Sequence, residues 1–286
     1  MTATVSTDLT VRRLGIDLDT PLPRHWAGDA FRTAFFNALS MSFPAGEQMF
    51  IDSLKKGLAA LPAAERARFE PEVRGFVGQE ATHRHVHARF NAHLERQGLV
   101  NAWGLRIQSR RAQVEALDVR NWVAVTAATE HLTAVFAEYL LAHPGVLAAA
   151  PERLQQLWQW HSAEEIEHRS TAFELYGALG GGTAWRVGMF RVVLPMFLLD
   201  AARQTLNNLW HDGSWWRPTT WSAAARFLFG RDGFFTVSRP LWKRYRQADF
   251  HPAQADDSLS RRWLADHAAL VPAVMPAVSA GAPART

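Results

Sequence analysis

Apolar residues recur at three- and four-residue steps over long stretches of the chain, a spacing that predicts helices. The stretches run from about Ala27 to Leu61, Pro71 to Gln97, Val119 to Ala142 and Pro151 to Ala178. Gly98, Pro144-Gly145 and Gly180-Gly181-Gly182 follow the last three, where glycine and proline stop a helix. Runs of β-branched residues are scarce. The expected fold class is therefore all-α, with the four long helices forming a four-helix bundle over 26–182. The first stretch is interrupted at Ser42-Phe43-Pro44. Either Ser42 caps a second helix carrying Glu47, or one long helix is kinked at Pro44. Residues 1–25 lack helical period and read as an extended arm.

Beyond Gly182 the pattern changes. Residues 183–266 read as a helical, aromatic-rich extension packed on the bundle. Its longest uncharged apolar run, Val192–Leu199, contains Pro195 and falls far short of the roughly 20 residues of a spanning helix. Phe234, Phe235, Trp242 and Tyr245 are interleaved with Arg231, Arg239, Lys243, Arg244 and Arg246. The first reading is aromatics packed on the bundle with cations in water. A lipid headgroup layer and a rim admitting an amphipathic acid are the alternatives. Residues 267–286, rich in Ala, Pro and Val, are expected to be a disordered tail.

Chemistry enters through charge at the middle of apolar stripes. On the second helix Phe76, Glu80, His83, His87, Phe90 and Leu94 share one face; on the fourth, Leu154, Trp158, His161, Glu165, His168 and Leu175 do. Each stripe contains Glu-x-x-His, as Glu80-Ala81-Thr82-His83 and Glu165-Ile166-Glu167-His168. Residues i and i+3 lie on one helix face, so each pair aims a carboxylate and an imidazole at one point. A surface pair is the bland reading of a single Glu-x-x-His. Here each lies on a core stripe and is preceded by a glutamate at similar distance: Glu47 is 33 positions before Glu80, and Glu130 is 35 before Glu165. An isolated buried carboxylate is costly, and a bound cation removes the cost. Glu, then Glu-x-x-His, twice over, is the ligand order of a di-metal bundle. Four carboxylates balance two divalent ions, with histidine binding neutral. Oxygen and imidazole donors without thiolate favour iron or manganese. His161, four residues before Glu165, reads as a further ligand. His87 and Glu164 read as partners that orient ligands. Glu167 and Glu138 read as solvated or as orienting residues.

Composition narrows the classes. The 286 residues contain no cysteine, which excludes disulfides, zinc–thiolate sites and iron–sulfur clusters. The net charge of +4 is mild, and no nucleic-acid motif accompanies it. The N-terminus has no apolar signal core, so a cytoplasmic location is expected, with peripheral contact at the inner membrane face left open. The only glycine run follows a helix, so no nucleotide-binding motif is present.

The strings FPAGEQMF, QEATHRHVHARFN, TEHLTA and WHSAEEIEHRSTAFELY resemble the bacterial family named predicted metal-dependent hydrolases, part of the ferritin-like superfamily. The resemblance covers residues 28–246 and implies a ferritin-like bundle. The ligand pattern is also similar to that of the di-iron arylamine N-oxygenases. That likeness implies a seven-ligand set of Glu47, Glu80, His83, Glu130, His161, Glu165 and His168, in which the extra histidine completes a site handling a peroxo intermediate.

The leading functional expectation is a di-iron oxygenase or oxidase. It would bind two iron ions, with manganese or a mixed pair as the alternative, and use O₂, a small organic substrate and an external reductase. A hydrolase using a metal-bridging hydroxide is the second reading. A non-enzymatic, ferritin-like metal-handling protein is the third. A homodimer fits any of them.

Overall fold

The computed structural model describes residues 9–275, and among them the chain is an all-α helical bundle with one two-stranded sheet. Four helices carry the two halves of the repeat: α1 (Ala30–Ala60), α2 (Ala63–Arg96), α4 (Val119–Ala142) and α5 (Glu152–His168). A helix not anticipated from the pattern, α3 (Ala102–Glu115), lies between α2 and α4. It begins at Asn101, whose side chain accepts from the Gly104 N–H at 2.9 Å. Its apolar positions are few, and only Trp103 and Gly104 are buried. That thin stripe is why its period was faint.

Of the two alternatives for the first helix, the unbroken one is observed, with Pro44 inside α1. Pro44 has no N–H to give to the Ser40 carbonyl. The Asn91 side-chain amide donates to that carbonyl instead, at 2.9 Å, and the Asn101 amide donates to the Met41 carbonyl at 2.8 Å. Ser42 is no cap; its hydroxyl donates back to the Leu39 carbonyl. The second helix begins earlier than expected, with Pro71 inside it, because Phe69 and Val73 flanking Pro71 are both buried. The fourth predicted stretch is broken. α5 stops at His168, and α6 (Thr171–Ala178) resumes after Arg169-Ser170. Arg169 turns aside to pair with Glu138, while Thr171 donates to the buried Glu72 carboxylate at 2.8 Å.

The stripes end in two separate apolar clusters. In one, Trp26 from the arm, Phe36 from α1, Phe90 from α2 and Trp158 from α5 meet; the Phe36 and Trp158 rings lie 4.8 Å apart, edge to face. In the other, Leu54, Phe76, Val123 and Leu175 meet. The charged middles of α2 and α5 lie between, closed off from water at both ends. The extension comprises α7 (Thr183–Asp212), α8 (Pro218–Phe229), α9 (Phe234–Arg244) and α10 (Ser258–Asp266). α7 packs across α1 and α4. In α9 and just after it, Phe234, Trp242 and Tyr245 are buried while Arg239, Lys243 and Arg244 are exposed. No helix among the described residues is long and apolar enough to cross a membrane.

The expectation of disorder from 267 onward needs correction at its start. Residues 267–272 turn back along the arm and lead into β2 (Ala273–Met275), which pairs antiparallel with β1 (Val11–Arg12). Residues 276–286 lie outside the described residues. The exposed backbone of the arm explains the pairing, since Arg13 and Gly15 N–H groups find the Pro272 and Leu270 carbonyls at 3.0 and 2.9 Å. On its other side the arm lies against α2 where that helix has no side chains. A Cβ on Gly75 would stand 2.5 Å from Leu9 Cβ and 2.8 Å from the Leu9 carbonyl oxygen; one on Gly78 would stand 2.3 Å from a Val11 methyl.

Gly75→Ala tests this notch. Helix propensity alone favours the alanine by about 1 kcal/mol. Displacement of the Leu9 backbone is expected to override that gain, so the urea midpoint should fall. A raised midpoint would show that the arm is not seated there.

Candidate metal centre

Glu47 comes from α1, Glu80 and His83 from α2, Glu130 from α4, and His161, Glu165 and His168 from α5. Their donor atoms converge. Glu47, His83 and His161 form one group, Glu80, Glu130 and His168 a second, and Glu80, His83 and Glu165 a third, each with its donor atoms within 4.8 Å of one another. Glu165 Oε1 is central, at 2.9 Å from His161 Nε2, 3.8 Å from His83 Nδ1 and 3.6 Å from His168 Nε2. The arrangement has two poles, one with two histidines and a glutamate, the other with one histidine and two glutamates. All seven side chains are buried.

The polar atoms facing the centre lack partners. Both oxygens of Glu47, Glu80 and Glu130, one of Glu165, His83 Nδ1 and both ring nitrogens of His168 accept or donate no hydrogen bond. Unpaired polar atoms at full burial are strongly unfavourable. Burial, and then the neighbouring carboxylates, push Glu47, Glu80 and Glu130 well above the usual carboxylate range. Burial also acts to raise Glu165, but the His161 and His168 imidazoles beside it hold it well below that range. Burial keeps His83 neutral. Carboxylates that cannot all ionise without a cation, beside neutral imidazoles, are a donor set that fits bound metal.

Two hydrogen-bond chains set which ring nitrogen faces the centre. The Asn91 amide nitrogen is committed to the Ser40 carbonyl, so its oxygen faces the Ser40 hydroxyl, which donates to it at 2.8 Å. The Ser40 oxygen then accepts from His87 Nδ1–H at 2.8 Å. Neutral His87, held so by burial, accepts at Nε2 from His161 Nδ1–H at 2.7 Å. In this direction every member is satisfied, and His161 presents the Nε2 lone pair to Glu47 and Glu165. A lone pair facing carboxylate oxygen at 2.9 Å is an arrangement that a shared cation relieves. The second chain starts in the arm. Arg12 donates to Glu164 at 3.1 Å and to both oxygens of Glu167 at 2.7 and 2.9 Å. Glu164 accepts from His83 Nε2–H at 2.9 Å, leaving Nδ1 to face the centre. Burial pushes Glu164 up to about 8, with Arg12 opposing.

Sequence spacing named all seven converging residues as well as His87 and Glu164. It did not name Arg12, Gln79, Ser40 or Asn91. Gln79 donates to Glu167 at 2.8 Å. Arg12 is 152 positions from Glu164, beyond any local period. The Gly75-x-x-Gly78 notch that seats its strand was the one available signal. Glu167, read as solvated or orienting, is held by Arg12 and Gln79; Glu138 is held by Arg169 and stands apart from the centre.

A cavity of about 270 Å³ reaches the centre at His161 and Glu165, with walls that are almost wholly aromatic and aliphatic. Phe35, Phe136, Trp158 and Phe234 are among them.

Comparison with curated proteins and with solved structures gives no match. The family described as predicted metal-dependent hydrolase matches residues 10–256. That description corrects the expectation of an oxygenase or oxidase, which rested on a ligand pattern. Carboxylate and imidazole donors serve redox and hydrolytic chemistry alike, so the donor set alone could not choose. O₂ and an external reductase lose their grounds with it. The match spans most of the chain and includes every residue of the centre, and the chain belongs to this family of predicted metal-dependent hydrolases.

Proposed function

We propose that the chain hydrolyses a small apolar substrate at a centre of two metal ions. The observation that carries this reading is the convergence of seven buried side chains, most of their facing atoms unpartnered, at the inner end of an apolar cavity. Glu47, His83 and His161 would hold one ion and Glu80, Glu130 and His168 the other, with Glu165 between. Four carboxylates and three neutral imidazoles match two divalent ions in charge, and their hardness favours iron or manganese. When bound, such ions supply Lewis acidity, drawing a water toward ionisation and polarising the scissile bond.

The chain's own residues do the rest. The aromatic walls keep bulk water from the reacting atoms, which strengthens every charge interaction within. The His87–Ser40–Asn91 chain and the Arg12–Glu164 pair fix the His161 and His83 rings, so that the donors need no rearrangement. Glu165 Oε2 has no hydrogen-bond partner, and its side chain lines the cavity.

A peripheral membrane contact fits the same surface. Val192, Met196, Leu199, Leu206 and Trp210 are exposed along α7 at helical spacing. Across 183–246, Arg191, Arg203, Arg217, Arg226, Arg231 and Arg239 are exposed, and Asp232 is the one exposed acid. That balance suits an anionic lipid surface.

Elemental analysis tests the centre. Wild type is expected to bind two ions per chain and Glu80→Ala or Glu130→Ala at most one; two retained ions in either variant would overturn the ligand assignment. Hydrolysis of ester, amide and phosphoester panels by manganese- and iron-loaded protein tests the reaction. Cleavage of none, under conditions of full metal occupancy, rejects it. Arg12→Ala is expected to lower metal affinity about 10–100-fold while retaining both ions at saturation, read by chelator competition.

The pH dependence of the metal-free protein has a definite sign. Glu47, Glu80 and Glu130 are raised by burial, and Glu72 is pushed up to about 7 by burial against the Thr171 hydrogen bond. Groups raised in the folded state stabilise it below their ordinary value of 4.5 and withdraw that stability as pH rises through the folded value. Glu165, lowered, acts the other way, and so do His83, His87 and His131, lowered by burial, but the histidines act only below their ordinary value of 6.5. The metal-free thermal midpoint should therefore fall between about pH 6.5 and pH 8, while that of the loaded protein, whose carboxylates are neutralised by metal, should hold or rise. Parallel profiles with and without metal would remove the link between these carboxylates and the ion.

A further inference from the structure

A second cavity, of about 250 Å³, approaches the same centre by another route. The first cavity lies along the later part of α7, from Phe197 to Leu206, and is walled by α8 and α9; the second lies along the earlier part, from Met189 to Asp200, and is walled by α3. Three residues line both, Phe43 of α1, Thr133 of α4 and Phe197 of α7, so these form the partition. The first cavity ends at His161 and Glu165, the second at Glu47. His161 Nε2 and Glu47 Oε1 are 3.8 Å apart. The inner ends of two separate chambers thus meet over one pole of the centre.

Each chamber also reaches the surface by its own mouth. Leu206 and Trp221 line the first and are 48% and 43% exposed; Val192 and Met196 line the second and are 52% and 37% exposed. Their walls differ. Apart from the site residues, the polar groups among the residues lining the first are the hydroxyls of Thr133, Ser162 and Thr205 and the indole N–H groups of Trp158, Trp221 and Trp242. The second is apolar near the centre, through Phe50, Val125 and Val193, but carries Arg110 and Gln113 on its α3 wall. Arg110 there pairs with the buried Asp200, which leaves guanidinium N–H groups over for a polar group. A single-armed substrate would leave one apolar chamber open beside the reacting bond, against the dryness the rest of the centre provides.

We propose that the substrate is a two-armed apolar ester or amide, with its scissile bond over the Glu47–His83–His161 pole, an alkyl or aryl arm in the α8–α9 chamber, and a second arm in the α3 chamber that carries any polar end. The bond cleaved rests on the hydrolase reading; the two chambers do not. Water adds its oxygen to the acyl carbon, the carbon–oxygen or carbon–nitrogen bond breaks, and a proton passes to the departing alcohol or amine. Each product then occupies one chamber and leaves by that chamber's mouth, so neither must pass the other.

Fluorescence titration of the full chain with the neutral apolar probe N-phenyl-1-naphthylamine, with and without manganese, tests the chambers. Two probes per chain are expected. Ala201→Phe, which lines only the first chamber, should remove one, and Val193→Phe, which lines only the second, should remove the other. Leu206→Trp and Met196→Trp, at exposed mouths where the core is undisturbed, should weaken the same two sites respectively by about tenfold. One probe per chain, or loss of the same site in both series, overturns the proposal. On manganese-loaded protein, hexyl hexanoate and N-hexylhexanamide should show higher kcat/KM than one-armed counterparts such as ethyl hexanoate and hexyl acetate, and each mouth variant should erase the preference for its own arm. Equal rates on one- and two-armed substrates overturn the substrate class even if both probes bind. Two-probe binding with no ester or amide cleaved removes the hydrolase reading and the scissile bond with it, while the chambers stand as binding sites.

Discussion

Four carboxylates stand at the centre of a bundle whose two ends are closed by apolar clusters. Left without a cation, that arrangement is unfavourable in either protonation state. Ionised, the carboxylates repel one another in a medium of low dielectric; protonated, they still stand fully buried with most of their oxygens unpartnered. His83 does not relieve this, because burial keeps it neutral. The stability of the bundle's middle is therefore tied to an ion, while the stability of its ends is tied to Phe36, Phe90, Trp158, Leu54, Phe76 and Leu175. Packing fixes the spacing of the helices, and the spacing of the helices fixes the distances among the donors.

Precision at the donors comes from residues that never face the centre. A ring nitrogen can serve a metal only if the other nitrogen is engaged, and the engagement must run in the right direction. At His161 the direction is decided three residues away, by an Asn91 amide that is itself committed because Pro44 leaves the Ser40 carbonyl free. The proline inside α1, which looks like a defect in a long helix, thus gives Asn91 its fixed orientation. At His83 the direction is decided by Glu164, whose other oxygen is held by Arg12.

The seven converging residues were legible in the sequence because each obeys a short rule: i and i+3 on one face, charge at the middle of an apolar stripe, and the same order repeated. Glu130 was preferred to Glu138 because it repeats the spacing of Glu47 and because Glu138 lies about two turns further along the helix, and Glu138 is held by Arg169. What was not legible depends on tertiary approach. Arg12 meets Glu164 across 152 positions. The helix α3 buries too little to mark its own face. The break after His168 exists because Arg169 and Thr171 are drawn to partners on other elements. The chemistry was not legible from the donors either, since oxygen and nitrogen ligands of this kind acidify a water as readily as they support electron transfer. The match to a family described as predicted metal-dependent hydrolase, over residues 10–256, points to the hydrolytic side of what the ligand pattern left open.

The ends of the described chain belong to the same system. β1 carries Arg12 and is held from one side by the glycine notch on α2 and from the other by β2. A bound ion favours His83 with Nδ1 free, hence Nε2–H on Glu164, hence Glu164 ionised and paired with Arg12. Each of these steps favours the arm being docked. By linkage, docking of the arm must favour the ion by the same amount. Arm, closing strand and a bound metal would thus act as one cooperative unit, although residues 9–15 and 267–275 lie far along the chain from most of the donors. The glycines at 75 and 78, unfavourable for an isolated helix, are what allow the backbone of the arm close enough for that coupling to exist.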